Sequence, residues 1–391
     1  MNIVTCIAPV NIAVIKYWGK RNEDLILPLN DSISATLSMD QMRATTTVMA
    51  SPDFAEDKIW LNGKQEAFST NIRLINCVRE IKKRAKSNGG DGENKILDWH
   101  IHICSENNFP TAAGLASSAA GYACLVYALA QLYGVKGDIS NLARQGSGSA
   151  CRSVYGGFVQ WHRGIEGDTE ETRGSVAEQL VNEFHWPELR IVILVVNDVK
   201  KKTSSSIGMK RSMDTSELLK YRVQICVPRR VEAMKKAIAE KDFETFGEIT
   251  IKDSNQFHAV CLDTYPPVVY MNEVSNSIIE LVHSYNSFHG KMKVAYTFDA
   301  GPNACLFLME ENLNEMISLI NYAFPFSHGD SYFRGLPLIS GPAPQHICSS
   351  INIKPHSRDL LKYIIHTKLG PGPRQLGEQD DHLLNSAGEP V

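Results

Sequence analysis

The sequence predicts an α+β protein, because strand patterns and helix patterns occur together along the chain. Residues 43–49 alternate polar and apolar side chains with the period of two that indicates a half-buried strand. Residues 116–133 are almost all apolar or small and are followed by Gly134, which predicts a buried helix that ends at a glycine. Residues 189–196 are all apolar except Arg190, as is typical of central strands.

Two lobes are expected from the length of the chain and from one change in composition. A chain of 391 residues is long enough for two or three domains of ordinary size. The stretch 164–182 is polar and acidic, and the apolar run that begins at Leu189 follows it. We therefore expect an N-terminal lobe over residues 1–188 and a C-terminal lobe over residues 189–370.

Local patterns predict further elements in the first lobe. Asn62-Gly63 follows the run 58–61 and is a dipeptide typical of a tight hairpin turn. Alternation over residues 99–103 indicates another strand. Residues 71–86 have the period of an amphipathic helix, with an apolar stripe expected to contain Ile72, Ile75, Val78 and Ile81.

The second lobe continues with both kinds of pattern. Helical periodicity covers residues 217–246 and 272–285, and strand-like runs cover residues 293–298, 304–309 and 362–367. A turn at 299–303 is expected to join two of these strands, and 362–367 is expected to be a closing strand. After Gly370 to Pro373 the composition becomes polar, so residues 371–391 are expected to form a disordered tail.

Composition excludes several classes of protein. The chain carries 40 Lys or Arg against 43 Asp or Glu, so its formal net charge of -3 gives no general attraction to nucleic acid or an acidic membrane. The nine cysteines are widely spread and show no zinc-binding spacing, which favours free thiols in a reducing compartment. No apolar run reaches the roughly 18 residues of a membrane span, and no secretory signal is apparent. We expect a cytosolic protein.

A segment of small residues is suited to binding phosphate. Residues 107–121 run from the end of a strand into the predicted helix, so backbone N–H groups can approach a phosphate at the positive end of that helix. Ser117 and Ser118 would then be placed to hold phosphate oxygens or a divalent metal. A core helix capped by serine is the alternative. The segment has neither the Gly-Lys-Ser/Thr of a Walker loop nor the GxGxxG of a dinucleotide site.

A basic cluster lies near the N-terminus. Lys16, Lys20 and Arg21 fall within six residues that also hold two aromatic side chains. Lys16 and Lys20 would share a face if this stretch were helical. A solvated basic surface is the alternative, although the surrounding apolar run indicates that Lys16 points inward.

Two further charged residues are candidates for a site. Arg152 follows the flexible segment 146–149, and a guanidinium can hold a carboxylate through two parallel hydrogen bonds, although a structural ion pair is the alternative. Asp299 ends an apolar strand and precedes a tight turn. Its carboxylate either caps that turn or points into a functional site. Cys151 has no apparent histidine partner and is assigned to packing. The basic, hydroxyl-rich segment 200–209 is either a phosphate-binding loop or a solvated surface.

These motifs resemble those of the GHMP kinase superfamily. Residues 114–119, Gly-Leu-Ala-Ser-Ser-Ala, match its phosphate loop except that glycine usually stands at the third position. That alanine, with segments 8–20, 146–153 and 296–303, resembles the mevalonate diphosphate decarboxylase family in particular, from about residue 5 to Pro373. The resemblance implies a GHMP kinase-like two-lobed fold. Its N-terminal ATP-binding lobe would be like domain 2 of ribosomal protein S5, and its C-terminal lobe would be a ferredoxin-like α/β lobe.

The resemblance also implies roles for individual residues. Asp299, Arg152 and Lys16 would be catalytic, with Asp299 acting on the hydroxyl at carbon 3 of the substrate. The implied substrate-binding residues are Tyr17, Lys20, Arg73, Ser147, Ser149 and Arg152. The implied ATP-binding residues are Pro110, Ala113, Gly114, Leu115, Ala116, Ser117, Ser118 and Ser205, and Ser118 would also bind Mg²⁺.

The implied activity is the ATP-dependent and Mg²⁺-dependent decarboxylation of (R)-mevalonate 5-diphosphate to isopentenyl diphosphate, a step of isoprenoid and sterol biosynthesis. The resemblance also suggests a homodimer. One alternative is a simple kinase such as phosphomevalonate kinase, which would stop after phosphoryl transfer. Another is a non-catalytic sensor of nucleotide or isoprenoid intermediates, against which the presence of Lys16, Arg152 and Asp299 argues.

Overall fold

The computed structural model describes residues 2–88, 95–109, 117–165, 174–196, 202–327, 329, 331–377 and 381–391. Its strands are β1 (Asn2–Pro9), β2 (Asn11–Ile15), β3 (Lys20–Asn22), β4 (Leu27–Pro28), β5 (Ser32–Thr36), β6 (Arg43–Ser51), β7 (Lys58–Leu61), β8 (Lys64–Glu66), β9 (His100–Asn107), β10 (Phe158–Trp161), β11 (Ala177–Val181), β12 (Leu189–Val195), β13 (Val294–Phe298), β14 (Ala304–Met309), β15 (Phe333–Gly335), β16 (Tyr363–Thr367) and β17 (Arg374–Gln375). Its α-helices are α1 (Ile72–Asn88), α2 (Ser117–Tyr133), α3 (Ser140–Gly146), α4 (Ser205–Thr215), α5 (Glu217–Tyr221), α6 (Val227–Glu240), α7 (Phe243–Asp263), α8 (Glu273–His289), α9 (Leu313–Ala323) and α10 (Gln345–Ser350). None of these helices is long and apolar enough to cross a membrane.

Three larger sheets and one two-stranded sheet, β3-β4, give the described part of the chain an α+β architecture. The first has the strand order β17-β1-β6-β9-β7-β8, the second β11-β10-β5-β2 and the third β13-β14-β12-β16-β15. The third sheet is built from strands that follow Leu189, whereas the first two consist of earlier strands apart from β17. One cluster of buried apolar side chains runs through both halves, so the two lobes share a continuous core.

The first lobe contains the predicted hairpin and the predicted buried helix. Asn62 and Gly63 both have positive φ angles, 49° and 77°, as the tight turn between β7 and β8 requires. Helix α2 packs against β1 and β6 and buries small and apolar side chains along its length. It ends before Gly134, whose φ angle of 68° lies in the left-handed region that glycine adopts without a steric penalty.

Helix α1 buries part of the predicted stripe, since Val78 and Ile81 are at most 8% exposed, but the buried face is shifted toward Leu74 and Cys77. Leu74, Cys77 and Ile81 are at most 1% exposed, whereas Ile72 is 71% exposed. Asn71 caps the helix by accepting the Leu74 N–H at 3.1 Å. Because α1 packs on both α2 and α3, the face turned toward these two helices is buried. Periodicity alone predicted the helix but not this orientation.

The second lobe differs from the sequence predictions at two places. The predicted helix over 217–246 is divided, because Lys241 adopts a left-handed φ of 56° and Asp242 caps α7 by accepting the Thr245 N–H at 3.1 Å. A π-helical stretch, Arg222–Cys226, also separates α5 from α6. Strand β16 is an internal strand between β12 and β15, so the prediction of a closing strand is wrong. β12 is central, as its largely apolar sequence indicated.

The C-terminal segment packs against the first sheet, so the prediction of a disordered tail is wrong for its described residues. β17 pairs with β1, and Leu384 is only 2% exposed, in a cluster with Met49 and Trp60. His102 Nδ1 lies 2.8 Å from the carbonyl oxygen of Gly388. The prediction was wrong because the segment is polar in overall composition, while a few apolar residues such as Leu384 pack against the first sheet. This segment also explains why β6 is buried on both faces and not on one.

The packing of Leu384 gives a test of this arrangement. We expect Leu384→Ala to lower the free energy of unfolding by about 2–4 kcal/mol, because it removes a buried side chain and leaves a cavity beside Met49 and Trp60. Val391→Ala is the matched control, since Val391 is 92% exposed. Denaturant unfolding of both variants would show the difference. Equal stability of the two variants would mean that the segment is not packed in solution.

Candidate active site

A single cavity of about 560 Å³ brings together every predicted site residue that the structure describes. It opens where the ends of β2 and β13, the start of α2 and the 3₁₀ segment Gly148–Val154 meet. The predicted residues that line it are Lys16, Tyr17, Lys20, Arg73, Ser117, Ser118, Ser147, Ser149, Arg152, Ser205 and Asp299. Pro110, Ala113, Gly114, Leu115 and Ala116 lie outside the described residues. The geometry therefore joins segments that are up to 283 positions apart.

Lys16 and Asp299 form an ion pair at the centre of this cavity. The distance between Lys16 Nζ and Asp299 Oδ1 is 2.5 Å, and their side chains are 4% and 28% exposed. Lys16 follows the last residue of β2, and Asp299 follows the last residue of β13. The predicted inward direction of Lys16 is confirmed. The stretch from Lys16 to Lys20 is not helical, so a shared helix face does not place these lysines together.

A buried histidine lies next to this ion pair. His258 is 4% exposed, and its Nε2 lies 3.3 Å from the carbonyl oxygen of Phe298. Burial lowers the pKa of His258 from 6.5 to about 4, and the positive charge of Lys16 contributes in the same direction. His258 is therefore neutral at physiological pH. Its Nε2–H can donate to the carbonyl at the end of β13.

Arg152 is buried and is surrounded by neutral oxygen acceptors. Its Nη1 donates to Ser32 Oγ at 2.6 Å, and its Nε donates to Ser34 Oγ at 3.0 Å and to Asn11 Oδ1 at 3.3 Å. It makes no ion pair with a carboxylate in the described part of the chain, so the alternative of a structural ion pair is not seen there. Burial lowers the pKa of the Arg152 guanidinium, and the negative charge of Asp299 opposes that shift. The arrangement leaves a desolvated cation beside the cavity.

The residues predicted to bind a diphosphate surround the same end of the cavity. Lys20 is 4% exposed, and its Nζ donates to Glu23 Oε2 at 2.6 Å. The hydroxyl of Tyr17 is buried and has no hydrogen-bond partner among the described residues. Burial raises the pKa of Tyr17, so this hydroxyl remains a donor. Arg73 is exposed at the start of α1 and turns a second cation toward the cavity.

The serines gather at the start of α2. Ser118 Oγ lies 3.4 Å from Ser147 Oγ, which joins the first turn of α2 to the end of α3. Ser117 is the first residue of α2. The first N–H groups of an α-helix have no partner within the helix, and a helix N-terminus carries a positive partial charge. This end of the cavity thus has the properties required for phosphate oxygens.

Ser205 belongs to a helix rather than to the predicted loop. It is the first residue of α4, and Ser204 caps that helix by accepting the Ile207 N–H at 3.3 Å. Residues 197–201, which include Lys200 and Lys201, lie outside the described part. Trp18 Nε1 donates to Ser212 Oγ at 2.9 Å, so α4 is attached to the segment between Lys16 and Lys20.

Sequence reasoning missed the residues that support Arg152 and one wall of the cavity. Asn11 donates to the Ser153 hydroxyl at 2.7 Å as well as accepting from Arg152, and it stands inside the motif 8–20, which was the available signal. Ser32 and Ser34 had no signal, because their role depends on the pairing of β5 with β10. The missed apolar wall consists of Ile59, Ile103 and Leu125.

Charge is distributed unevenly around the cavity. Among the described residues that line it, Lys16, Lys20, Arg73 and Arg152 are cations, and Asp299 is the one acid. A concave surface with an excess of positive charge concentrates anionic ligands. Within the described chain there is no cluster of three or more His, Cys, Asp or Glu side chains that could hold a metal by itself. The excess of positive charge makes the cavity suited to a polyanion.

Comparison with known proteins decides the family. Residues 8–173 match the diphosphomevalonate decarboxylase-like N-terminal domain, and residues 191–376 match the mevalonate 5-diphosphate decarboxylase C-terminal domain. The chain belongs to the diphosphomevalonate decarboxylase family. The diphosphomevalonate decarboxylase of Danio rerio is 52% identical over 100% of this chain and 97% of its own length.

Solved structures of relatives have the same fold. The mevalonate diphosphate decarboxylase of Trypanosoma brucei has a TM-score of 0.87 and 35% identity, covering 98% of this chain and 100% of that one. A further relative was solved in complex with MVAPP, AMPPCP and magnesium, with a TM-score of 0.73 and 30% identity over 96% of this chain and 100% of its own. The predicted α+β fold of the GHMP kinase type is confirmed.

His258 gives this site a defined pH dependence of stability. Between about pH 6.5 and pH 4 the unfolded chain binds a proton at His258 that the folded protein does not bind, so stability falls as pH falls through this range. We expect this residue to account for a loss of about 2–3 kcal/mol between pH 7 and pH 4.5. Urea unfolding of the wild type and of His258→Gln at both pH values measures it.

The variant should lose less stability than the wild type over this interval. His366, whose pKa is also lowered by burial, contributes to both proteins, so it cancels in the comparison. Identical losses in the two proteins would show that His258 is not held neutral in the folded state.

Proposed function

We propose that this member of the decarboxylase family converts (R)-mevalonate 5-diphosphate and ATP to isopentenyl diphosphate, ADP, phosphate and carbon dioxide. The proposal depends on two features that lie in the same cationic cavity. One is the Lys16–Asp299 ion pair, and the other is a buried Arg152 that has no carboxylate partner in the described chain. The reaction needs a group to act on a hydroxyl, a cation for a carboxylate and further cations for phosphates. The cavity supplies all three.

The diphosphate end of the substrate binds to Lys20, Tyr17 and Arg73. Lys20 and Arg73 provide positive charge, and the unpartnered Tyr17 hydroxyl provides a desolvated donor. Hydrogen bonds to ionised oxygens are roughly twice as strong as neutral ones. Ser147 and Ser149 lie beside Arg152 and hold the other end of the substrate, where Arg152 binds its carboxylate.

The nucleotide lies with its phosphates at the start of α2. Ser117, Ser118 and Ser205 surround this end of the cavity, and the apolar wall beside it suits a nucleotide base. The donors present fit a magnesium ion, since Mg²⁺ is commonly held by substrate phosphates and one or two protein oxygens, and Ser118 supplies such an oxygen. When bound, Mg²⁺ neutralises phosphate charge. The relative solved with MVAPP, AMPPCP and magnesium supports this assignment.

The two chemical steps follow from this placement. The γ-phosphoryl group of ATP passes to the oxygen at carbon 3, and Asp299 orients that hydroxyl and takes up its proton. Phosphate then leaves with the electrons of the carbon–oxygen bond, so positive charge develops at carbon 3. Electrons from the bond to the carboxylate form the new double bond, and carbon dioxide is released. Lys16 balances the charge of Asp299 and lies close to the transferred phosphoryl group.

We also propose a homodimer in the cytosol. Leu218 and Tyr221 of α5 and Leu262 at the end of α7 are 45%, 56% and 58% exposed. The Leu218 N–H donates to Asp263 Oδ2 at 3.1 Å, so α5 lies against the end of α7 that carries Leu262. Exposed apolar patches of this kind are typical of protein interfaces. All nine cysteines are buried and unpaired, which fits a reducing compartment.

The role of Asp299 can be separated from a turn-capping role by Asp299→Asn. The amide keeps the size of the side chain and one acceptor, so stability should change by about 1 kcal/mol or less. Turnover should fall by about 100-fold or more, because the charge that acts on the hydroxyl is lost. Carboxyl-labelled mevalonate diphosphate, with carbon dioxide and ADP counted together, measures this and would reveal a simple kinase as ADP without carbon dioxide.

Asp242→Asn is the matched control for this experiment. Asp242 caps α7 and does not line the cavity, and Asn is also a good N-cap, so this change should leave turnover unaltered with a stability change of about 1 kcal/mol or less. Calorimetry should give near-normal binding of ATP and mevalonate diphosphate to the Asp299 variant. If Asp299→Asn retained more than about a tenth of wild-type turnover, Asp299 would be removed from the mechanism.

Substrate choice gives a second test. Mevalonate 5-phosphate should have a kcat/KM at least 100-fold lower than the diphosphate, roughly the loss of one or two charge-assisted contacts. Lys20→Gln should reduce this preference, because it removes one of those contacts. Lys58→Gln, which removes a surface lysine paired with Glu389, should leave the preference unchanged. Equal turnover of both substrates by the wild type would contradict the assignment of the diphosphate site.

A further inference from the structure

Helix α7 contacts the backbone of both strand ends that carry the ion pair. Asp253 Oδ1 accepts the backbone N–H of Lys16 at 2.8 Å. The next residue, Ser254, accepts the backbone N–H of Phe298 at its Oγ at 3.0 Å, and His258 lies one turn further on against the Phe298 carbonyl. All three side chains are at most 4% exposed. One rigid helix thus holds the residue before Asp299 and the peptide of Lys16.

The carbonyl oxygen of Lys16 accepts two side-chain hydrogen bonds. Arg222 Nη2 donates to the Lys16 carbonyl oxygen at 3.0 Å, and Asn30 Nδ2 donates to it at the same distance. Arg222 also binds both oxygens of Asp253 at 2.8 Å, and Arg230 donates to Asp253 at 3.0 Å. The side chains of Arg222 and Asp253 are fully buried. The Lys16 peptide therefore has partners on both its N–H and its C=O.

These contacts replace the strand pairing that stops at the site. The pairing of β2 with β5 has an irregularity between Ala13 and Ile15 and ends at Ile15. Lys16 lies one residue beyond, where its backbone groups would be buried without a ladder partner. Side chains of Asp253, Arg222 and Asn30 satisfy them, and a buried backbone group left unpaired would cost free energy.

A buried ion pair is an uncertain source of stability, because desolvation offsets its attraction. Asp253 and Arg222 nevertheless make bonds whose geometry is specific to the Lys16 peptide. The alternative, simple packing of α7 on the sheet, is already provided by the apolar side chains of the same helix, such as Phe246 and Ile251. The polar contacts are therefore better explained by the position that they give to Lys16.

We propose that Asp253 and Ser254, with Arg222, are positioning residues that set the distance between Lys16 and Asp299 during catalysis. This inference rests on the proposed function, in which Lys16 and Asp299 act at the reacting hydroxyl. Asp253 fixes the Lys16 end, and Ser254 fixes the Asp299 end. Neither touches the substrate, so both affect turnover and not binding.

Ser254→Ala is the first test, because it removes one hydroxyl and leaves the buried ion pair intact. We expect kcat per active site to fall by about tenfold or more, since small displacements of reacting groups have large effects on rate. The KM for mevalonate diphosphate and the Kd for AMPPCP should stay within about twofold. Thr250→Ala is the matched control, because Thr250 is a fully buried residue of the same helix whose hydroxyl, among the described residues, bonds only to the Phe246 carbonyl.

Asp253→Asn and Arg222→Met extend the test to the Lys16 end. Active sites are counted by AMPPCP titration, so that a merely structural effect appears as fewer binding sites with wild-type kcat per site. A lowered kcat per site with unchanged binding supports positioning. If Asp253→Asn does not fold, Ser254→Ala and Arg222→Met decide the question.

Two failures can be told apart. A wild type that releases no carbon dioxide from mevalonate diphosphate would overturn the proposed function. A wild type that does so, together with Ser254→Ala and Arg222→Met variants whose kcat per site equals that of Thr250→Ala, would overturn the positioning role alone.

Discussion

The ion pair between Lys16 and Asp299 is the contact on which the arrangement of the site depends. It joins the end of β2 in the second sheet to the end of β13 in the third, so it bridges the two lobes. Removing an ammonium group from water costs several kcal/mol unless a partner compensates. Lys16 can remain buried only if the two strand ends stay within hydrogen-bond distance. Packing of α7 against both β2 and β13 maintains this condition.

The same constraint gives the cavity its charge. Asp299 forms an ion pair with Lys16 and also interacts electrostatically with Arg152, without a direct contact between the two. Arg152 donates hydrogen bonds to hydroxyl and amide oxygens, which orient the guanidinium without neutralising its charge. Lys20 forms an ion pair with Glu23, but the Glu23 carboxylate is half exposed, so solvent weakens the attraction between the two charges. The positive charge that remains makes the cavity electrostatically favourable to an anion.

Elements that depend on neighbouring residues could be predicted from the sequence. The buried helix up to Gly134, the hairpin at Asn62 and the central strand at Leu189 each depend on residues next to one another, and each is confirmed. The candidate site residues came from motifs, and those within the described chain line one cavity.

Long-range packing was not accessible in the same way. The C-terminal segment looked disordered because its composition is polar, yet Leu384 finds Met49 and Trp60 on the far side of the first sheet. Asp253 carries no local sign of its contact with Lys16, since the two are 237 positions apart and the contact exists only after both lobes form. The exposed position of Ile72 in α1 was not foreseen for the same reason, because α2 and α3 determine which face of the helix is buried.

One buried polar group in the wall of the cavity has no hydrogen-bond partner among the described residues. The Tyr17 hydroxyl is buried against Trp161 without a hydrogen-bond partner among the described residues, and leaving such a donor unpaired costs about 1–3 kcal/mol. Gly148 makes this close packing possible, because a Cβ at that position would lie 3.0 Å from both Tyr17 and Trp161. Tyr17 is thus fixed by aromatic contacts and not by hydrogen bonds. In the proposed complex, a donor fixed in this way would need no rearrangement to meet an anionic oxygen of the diphosphate, so substrate binding would offset the free energy lost on folding.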